Sequence, residues 1–200
     1  MLRIYYADVS ALDPDREYVI SEYRCERLAC VRQDASRRGG LGAELLLNHA
    51  VIGWRGDFPL PLDIVTLGHG KPALRGGEIF IGLSHSGTYA AAAVCDRDFG
   101  LDLQRNTPPN PALVRRFFAA DEQKYIAQAE NAEYAFTEIW CKKESYIKAL
   151  GTGLATPLAS FSVIGMQGIW HCTLDGYHLA VCIPCRAVIR PDVIEKTELL

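Results

Sequence analysis

Short apolar runs alternate with turn residues through the first half of the chain. Residues 2–7 and 61–67 predict short strands, and 79–83, 89–96 and 100–103 are compact apolar or β-branched runs bounded by Gly, Ser and Asp. Between the first two, residues 21–55 predict a helical region in which Leu45, Leu46, Leu47, Val51 and Ile52 form one apolar face. Gly39, Gly40 and Gly42 predict a break near its middle, because glycine is a poor helix former. The stretch Thr107-Pro108-Pro109-Asn110-Pro111 cannot continue a strand ladder and predicts a boundary between two lobes, 1–105 and 106–200. Two helical patterns follow over 111–129 and 132–150, then strand-like runs at 160–165, 168–174 and 177–183. Both halves mix helices with a few strands, and the two do not alternate strictly, which argues against a doubly wound sheet.

Composition narrows the picture. At 200 residues and 49% hydrophobic, the chain can fill one sizeable core or two small lobes. A net charge of −3 argues against a nucleic-acid partner, so any anion site is local. The first residues lack an uninterrupted apolar segment, and no stretch approaches the ~18 apolar residues that suggest a membrane span. The expectation is a cytoplasmic protein with no membrane partner. Seven scattered cysteines without a secretory signal read as reduced, mostly buried thiols. Cys182 and Cys185, with His171, Cys172 and His178 nearby, also spell a zinc or redox pair, but a second spaced ligand pair is missing.

Four groups of residues carry candidate chemistry. In the strand 100–104, Asp102 and Gln104 are two apart and share a face that can hold a cation; a half-buried strand shows the same pattern to water. Over 136–150, Phe136, Ile139, Trp140, Ile147 and Leu150 form one helical stripe, with Gly151 placed to end the helix. Lys143 falls within that stripe and Glu144 and Lys148 on its edge, where charges are paired, snorkelling or functional. A plain surface pair at i, i+4 would account for Glu144 and Lys148 alone. Third, Leu83-Ser84-His85-Ser86-Gly87 runs a strand into small residues that an anion can approach, although a capped turn looks the same. Last, Arg24, Arg27, Arg32, Arg37 and Arg38 fall close together in an acidic chain, as a solvated helix face or as a phosphate site.

Taken in order, Gly70-Lys71-Pro72, Leu83-Ser84-His85-Ser86-Gly87, Gly100-Leu101-Asp102 and Trp140-x-x-Lys143-Glu144-Ser145-Tyr146-Ile147-Lys148 resemble the phosphopantetheinyl transferases of the Sfp type. The similarity continues through Gly151-x-Gly153-Leu154 and Pro157-Leu158-x-Ser160-Phe161-Ser162-Val163, and covers about residues 62–183. The resemblance implies two similar α+β lobes related by a pseudo-twofold axis, with coenzyme A and Mg²⁺ in the cleft between them. It implies Asp102 and Glu144 as magnesium ligands, and Lys148 and Ser84 on the pyrophosphate. His85 falls on the 3′-phosphate, and Lys71 and Pro72 at the adenine. Arg24, Arg27, Arg37 and Arg38 are further candidates for the 3′-phosphate, and the role of Lys143 stays open.

One position departs from the family, which commonly has a carboxylate where this chain has Gln104. Its amide oxygen can still coordinate directly or through a water, with one negative charge fewer. The activity implied is transfer of 4′-phosphopantetheine from coenzyme A to a serine of an apo acyl or peptidyl carrier protein, releasing 3′,5′-adenosine bisphosphate. Glu144 is the candidate base and Lys148 the charge stabiliser; two internal lobes suit a monomer. The rival reading is a non-catalytic coenzyme A or carrier-binding relative.

Overall fold

The computed structural model describes residues 1–77, 79–184 and 189–199. Its contacts divide the chain into one unit of Met1–Phe99 with Arg190–Leu200 and a second of Gly100–Ile189. The first contains β1 (Leu2–Asp8), α1 (Glu22–Ala29), α2 (Asp34–Arg55), β2 (Ile64–Thr66), β3 (Pro72–Leu74), β4 (Phe80–Ser86) and β5 (Tyr89–Cys95). The second contains β6 (Gly100–Arg105), α3 (Pro111–Phe117), α4 (Ala120–Gln128), α5 (Ala132–Leu150), β7 (Ile169–Leu174) and β8 (Tyr177–Cys182). The chain then returns to the first unit as β9 (Val193–Lys196). Both units mix helices with sheet, so the fold class is α+β, as expected.

The first unit is a four-stranded sheet in the order β4-β5-β1-β9, with α2 laid across it and β2 and β3 forming a small hairpin. Its core joins Leu46, Leu47, Ala50 and Val51 of α2 to Ala90, Ala92 and Val94 of β5. The apolar face of α2 is therefore rotated slightly from the expected one, and Ile52 is 41% exposed. The glycines do not break α2; the interruption lies earlier, where α1 ends at Cys30. Those glycines are tolerated because neighbours occupy the space a side chain would take. A Cβ on Gly39 would lie 2.5 Å from His85 Nδ1, and one on Gly42 would lie 2.2 Å from Val9 Cγ1. Close packing outweighs the helix-propensity cost of about 1 kcal/mol per glycine.

In the second unit α5 packs on the antiparallel sheet β6-β8-β7. Phe118 stacks on Phe136 and Trp140, and Ile126, Ile139 and Val163 close the cluster. Turning Phe118 into this core divides the helix expected at 111–129 into α3 and α4, with Phe118 and Ala119 extended. The strand expected at 160–165 does not form. Side chains satisfy that backbone instead: Glu122 accepts the Val163 N–H at 2.9 Å, and Lys143 donates to the Phe161 carbonyl at 2.7 Å. The boundary placed at 105/106 falls between Phe99 and Gly100, because β6 pairs with β8 while the stretch after 190 pairs with β1. Among the described residues no helix is long and apolar enough to cross a membrane.

Candidate active site

The second unit brings its carboxylates together through a contact open to glycine alone. A Cβ on Gly100 would lie 2.0 Å from the Ser145 carbonyl oxygen and 2.3 Å from the Ala149 nitrogen. That approach of β6 to α5 sets Asp102 beside the helix face carrying Glu144 and Lys148. Gly100→Ala is expected to force the two elements apart against backbone, costing about 3 kcal/mol or more of stability. Chemical denaturation measures the loss, and a midpoint within error of wild type would contradict the packing.

Asp102 is 1% exposed. Its Oδ1 accepts a hydrogen bond from Lys148 Nζ at 2.5 Å, and its Oδ2 accepts one from Gln104 Nε2 at 3.0 Å. Asp102 and Gln104 thus share one face, as their two-residue spacing predicts. Burial and the neighbouring Asp102 push the Glu144 carboxyl above its usual range, against the pull of Lys148. Burial opposes charge on Lys148 too, but attraction and a hydrogen bond to Asp102, with further help from Glu144, hold its ammonium above the ordinary value. Behind the strand, Cys141 Sγ lies 3.3 Å from the carbonyl oxygens of Asp102 and His178, and burial pushes its thiol well up.

These donors fit a hard divalent ion. Among the described residues no three His, Cys, Asp or Glu side chains cluster as a ready metal site. Here two carboxylates meet instead, hard oxygen donors of the kind Mg²⁺ takes, with the Gln104 amide turning its nitrogen toward Asp102. Glu144 is partly buried and repelled by Asp102, a conflict that a cation would relieve.

Lys143 is fully buried, and its partner Glu122 is fully buried as well. Their Nζ and Oε2 lie 2.6 Å apart, with the Lys143 ammonium 4.3 Å from the centre of the Phe161 ring. Glu122 was not foreseen as a partner. The available signal was a lysine within an apolar stripe, which requires a buried acid. Leu150, placed in the same stripe, is 40% exposed at the helix end, where Gly151 takes the left-handed conformation.

The first unit carries the remaining candidates. Ser84 is buried and His85 exposed on β4, with His85 packed against Gly39 of α2. The next helix residue, Gly40, leaves room for the Arg24 guanidinium, whose Nη1 a Cβ there would meet at 3.1 Å. Arg24 lies 3.5 Å from the buried Glu44 and 5.6 Å from the Tyr23 ring centre, which Arg27 also covers at 5.4 Å. His85 and Arg24 thus approach consecutive residues of α2, about 100° apart around the helix. Arg37 is turned away to Asp15 and Asp34, at 2.7 and 3.6 Å. Arg38 is half-buried. Lys71 pairs with Asp98, and Pro72 opens β3. The Cys182–Cys185 reading cannot be placed, because Cys185 lies outside the described residues.

His171 Nε2 and His178 Nδ1 lie 2.8 Å apart beneath Tyr134. Burial pushes both imidazoles down to about 4, with Lys142 adding to the effect and Glu138 opposing it. The unfolded chain binds protons near pH 6.5 that the folded one refuses, so stability is full above that pH and is lost as pH falls toward 4. A melting temperature that declines between pH 6.5 and 5 is the expected result; a flat profile there would contradict the buried pair.

The model of the 4′-phosphopantetheinyl transferase superfamily matches residues 98–180. The 4′-phosphopantetheinyl transferase AcpT of Salmonella typhimurium is 30% identical over 178 residues, spanning 84% of this chain and 88% of its own. The chain belongs to the 4′-phosphopantetheinyl transferase superfamily. It is also similar to the 4′-phosphopantetheinyl transferase psf-1 of Bacillus pumilus, 38% identical over 133 residues, 64% of this chain and 55% of that one. The 4′-phosphopantetheinyl transferase Sfp of Bacillus subtilis (strain 168) is 33% identical over 101 residues, 49% of this chain and 45% of that one. The chain thus spans about half the length of these Bacillus relatives. The superfamily match contains Asp102, Gln104, Glu122, Lys143, Glu144 and Lys148, whereas Lys71, Pro72, Ser84 and His85 precede it.

Proposed function

We propose that this protein transfers 4′-phosphopantetheine from coenzyme A to a serine of an apo acyl or peptidyl carrier protein, releasing 3′,5′-adenosine bisphosphate. The observation that carries the reading is the meeting of Asp102, Glu144 and Lys148 between β6 and α5, within the stretch that the superfamily model matches. Mg²⁺, held by Asp102 and Glu144 with Gln104 directly or through a water, would supply charge neutralisation on the pyrophosphate. Lys148 contributes a second positive charge there. Glu144, whose carboxyl burial and Asp102 push up, is the base that takes the serine proton. Positioning and charge account for most of the catalysis in such transfers.

The first unit serves the nucleotide in this proposal. Ser84 bonds the pyrophosphate, His85 and Arg24 take the 3′-phosphate with Arg27 nearby, and Lys71 and Pro72 meet the adenine. Arg37 is the weakest candidate, since Asp15 and Asp34 already hold it. A monomer in the cytoplasm belongs to the same reading, supported by six free cysteines among the described residues. The test mixes the protein with coenzyme A, Mg²⁺ and a panel of apo carriers and weighs the carriers by mass spectrometry. A mass gain of one phosphopantetheine is expected. Tight coenzyme A binding with unmodified carriers throughout would mark a binding-only relative instead.

A further inference from the structure

Three consecutive residues of α5 face three different surroundings. Lys143 is buried against α4, Glu144 lies beside Asp102, and Ser145 meets β6. Successive side chains step about 100° around a helix, so the first and third of these sit about 200° apart, on opposite sides of α5. On the Ser145 side the contact is backbone against backbone, where a Cβ on Gly100 would lie 2.0 Å from the Ser145 carbonyl oxygen. A contact without side chains sets how closely α5 approaches β6 and resists rolling of the helix only weakly. The Lys143 side supplies that resistance. Its ammonium makes two directed bonds, to Glu122 Oε2 at 2.6 Å and to the Phe161 carbonyl at 2.7 Å, with the Phe161 ring centre at 4.3 Å. Glu122 is itself fixed, since Oε2 also accepts the Ala119 N–H at 2.8 Å and Oε1 the Val163 N–H at 2.9 Å.

The start of α4, the middle of α5 and residues 161–163 therefore meet at one fully buried ion pair. Replacing such a pair with well-packed apolar side chains is often neutral for stability, whereas buried polar groups can specify one register among several. Direction is what this pair adds. A side-chain tip lies about 5–6 Å from the helix axis, so a roll of about 10° moves a carboxylate on α5 by about 1 Å. A misplacement of that size can cost about 10²-fold in rate. We infer, on the strength of the transferase reading, that Glu122 and Lys143 are positioning residues that fix the roll of α5 and with it the aim of Glu144 at the reacting serine. Neither touches the substrates in this arrangement; both act through the helix that carries Glu144.

The test uses the whole chain and separates kcat from KM. Glu122→Gln combined with Lys143→Met removes both charges and strands neither. Circular dichroism checks the fold at the assay temperature, and transfer is followed over ranges of coenzyme A and of one apo carrier. The expected result is a kcat lower by about 10²-fold, with KM for both substrates within about twofold of wild type. Should the double variant fail to fold, Glu122→Asp carries the test. It keeps the charge and draws the Lys143 ammonium toward α4 by about one methylene, and the same split is expected at about tenfold. A folded variant with wild-type kcat overturns the inference. So does a raised KM, with kcat unchanged or lowered, which would mark a binding surface resting on the pair or a general loosening of the unit. A wild-type chain that modifies no carrier sinks the transferase reading first and the inference with it, whereas an active wild type with indifferent variants sinks the inference alone.

Discussion

Asp102→Asn is expected to lower phosphopantetheine transfer by about 10²–10³-fold, the cost typical of deleting one preorganised charge stabiliser. Asparagine keeps the shape of the side chain, so the packing of β6 on α5 should survive. What it removes is a negative charge held 1% exposed beside Lys148 and Glu144. With that charge gone, the ammonium of Lys148 loses its anchor, and a cation held there would lose one anionic ligand. Glu144→Gln should cost a similar factor from the helix side. Initial rates on one carrier, measured with circular dichroism to check the fold, decide the matter. Near-wild-type rates in either variant would place the chemistry elsewhere.

The second large effect is on stability. Lys143→Met leaves Glu122 charged, fully buried and without its ammonium partner, and breaking such a pair from one side costs about 3–5 kcal/mol. The loss spreads, because the Phe161 carbonyl loses its donor while Glu122 still accepts the Ala119 and Val163 N–H groups at 2.8 and 2.9 Å. Pairing Lys143→Met with Glu122→Gln removes the stranded charge and keeps an amide oxygen for one of those N–H groups. The double variant should therefore be more stable than Lys143→Met alone. A single variant that melts with wild type, or a double no better than the single, would show that the buried pair does not hold this region. The arrangement also answers the question that the motif left open about Lys143, whose ammonium is committed to Glu122 and the Phe161 carbonyl.

Much of this was legible from periodicity. The two-residue spacing of Asp102 and Gln104 put them on one strand face, and the helical spacing of Glu144 and Lys148 put those on one helix edge. The departures share a cause, which is contact between residues distant in sequence. Gly39 and Gly42 look like breaks until His85 and Val9 are seen filling their space. Residues 160–165 alternate like a strand, but Lys143 and Glu122 take the backbone groups a partner strand would need. The short β9 was not foreseen, since Val193–Lys196 carries little apolar pattern and gains its place from pairing with Arg3–Tyr6.

The return of the chain as β9 reverses the usual order of events on the ribosome. Asp192 bonds the Leu2 amide at 2.6 Å, across 190 residues of sequence, and Thr197 N–H reaches the Tyr6 carbonyl at 2.8 Å. β1 can pair with β5 early, but its other edge gains β9 only after every residue of the second unit has been made.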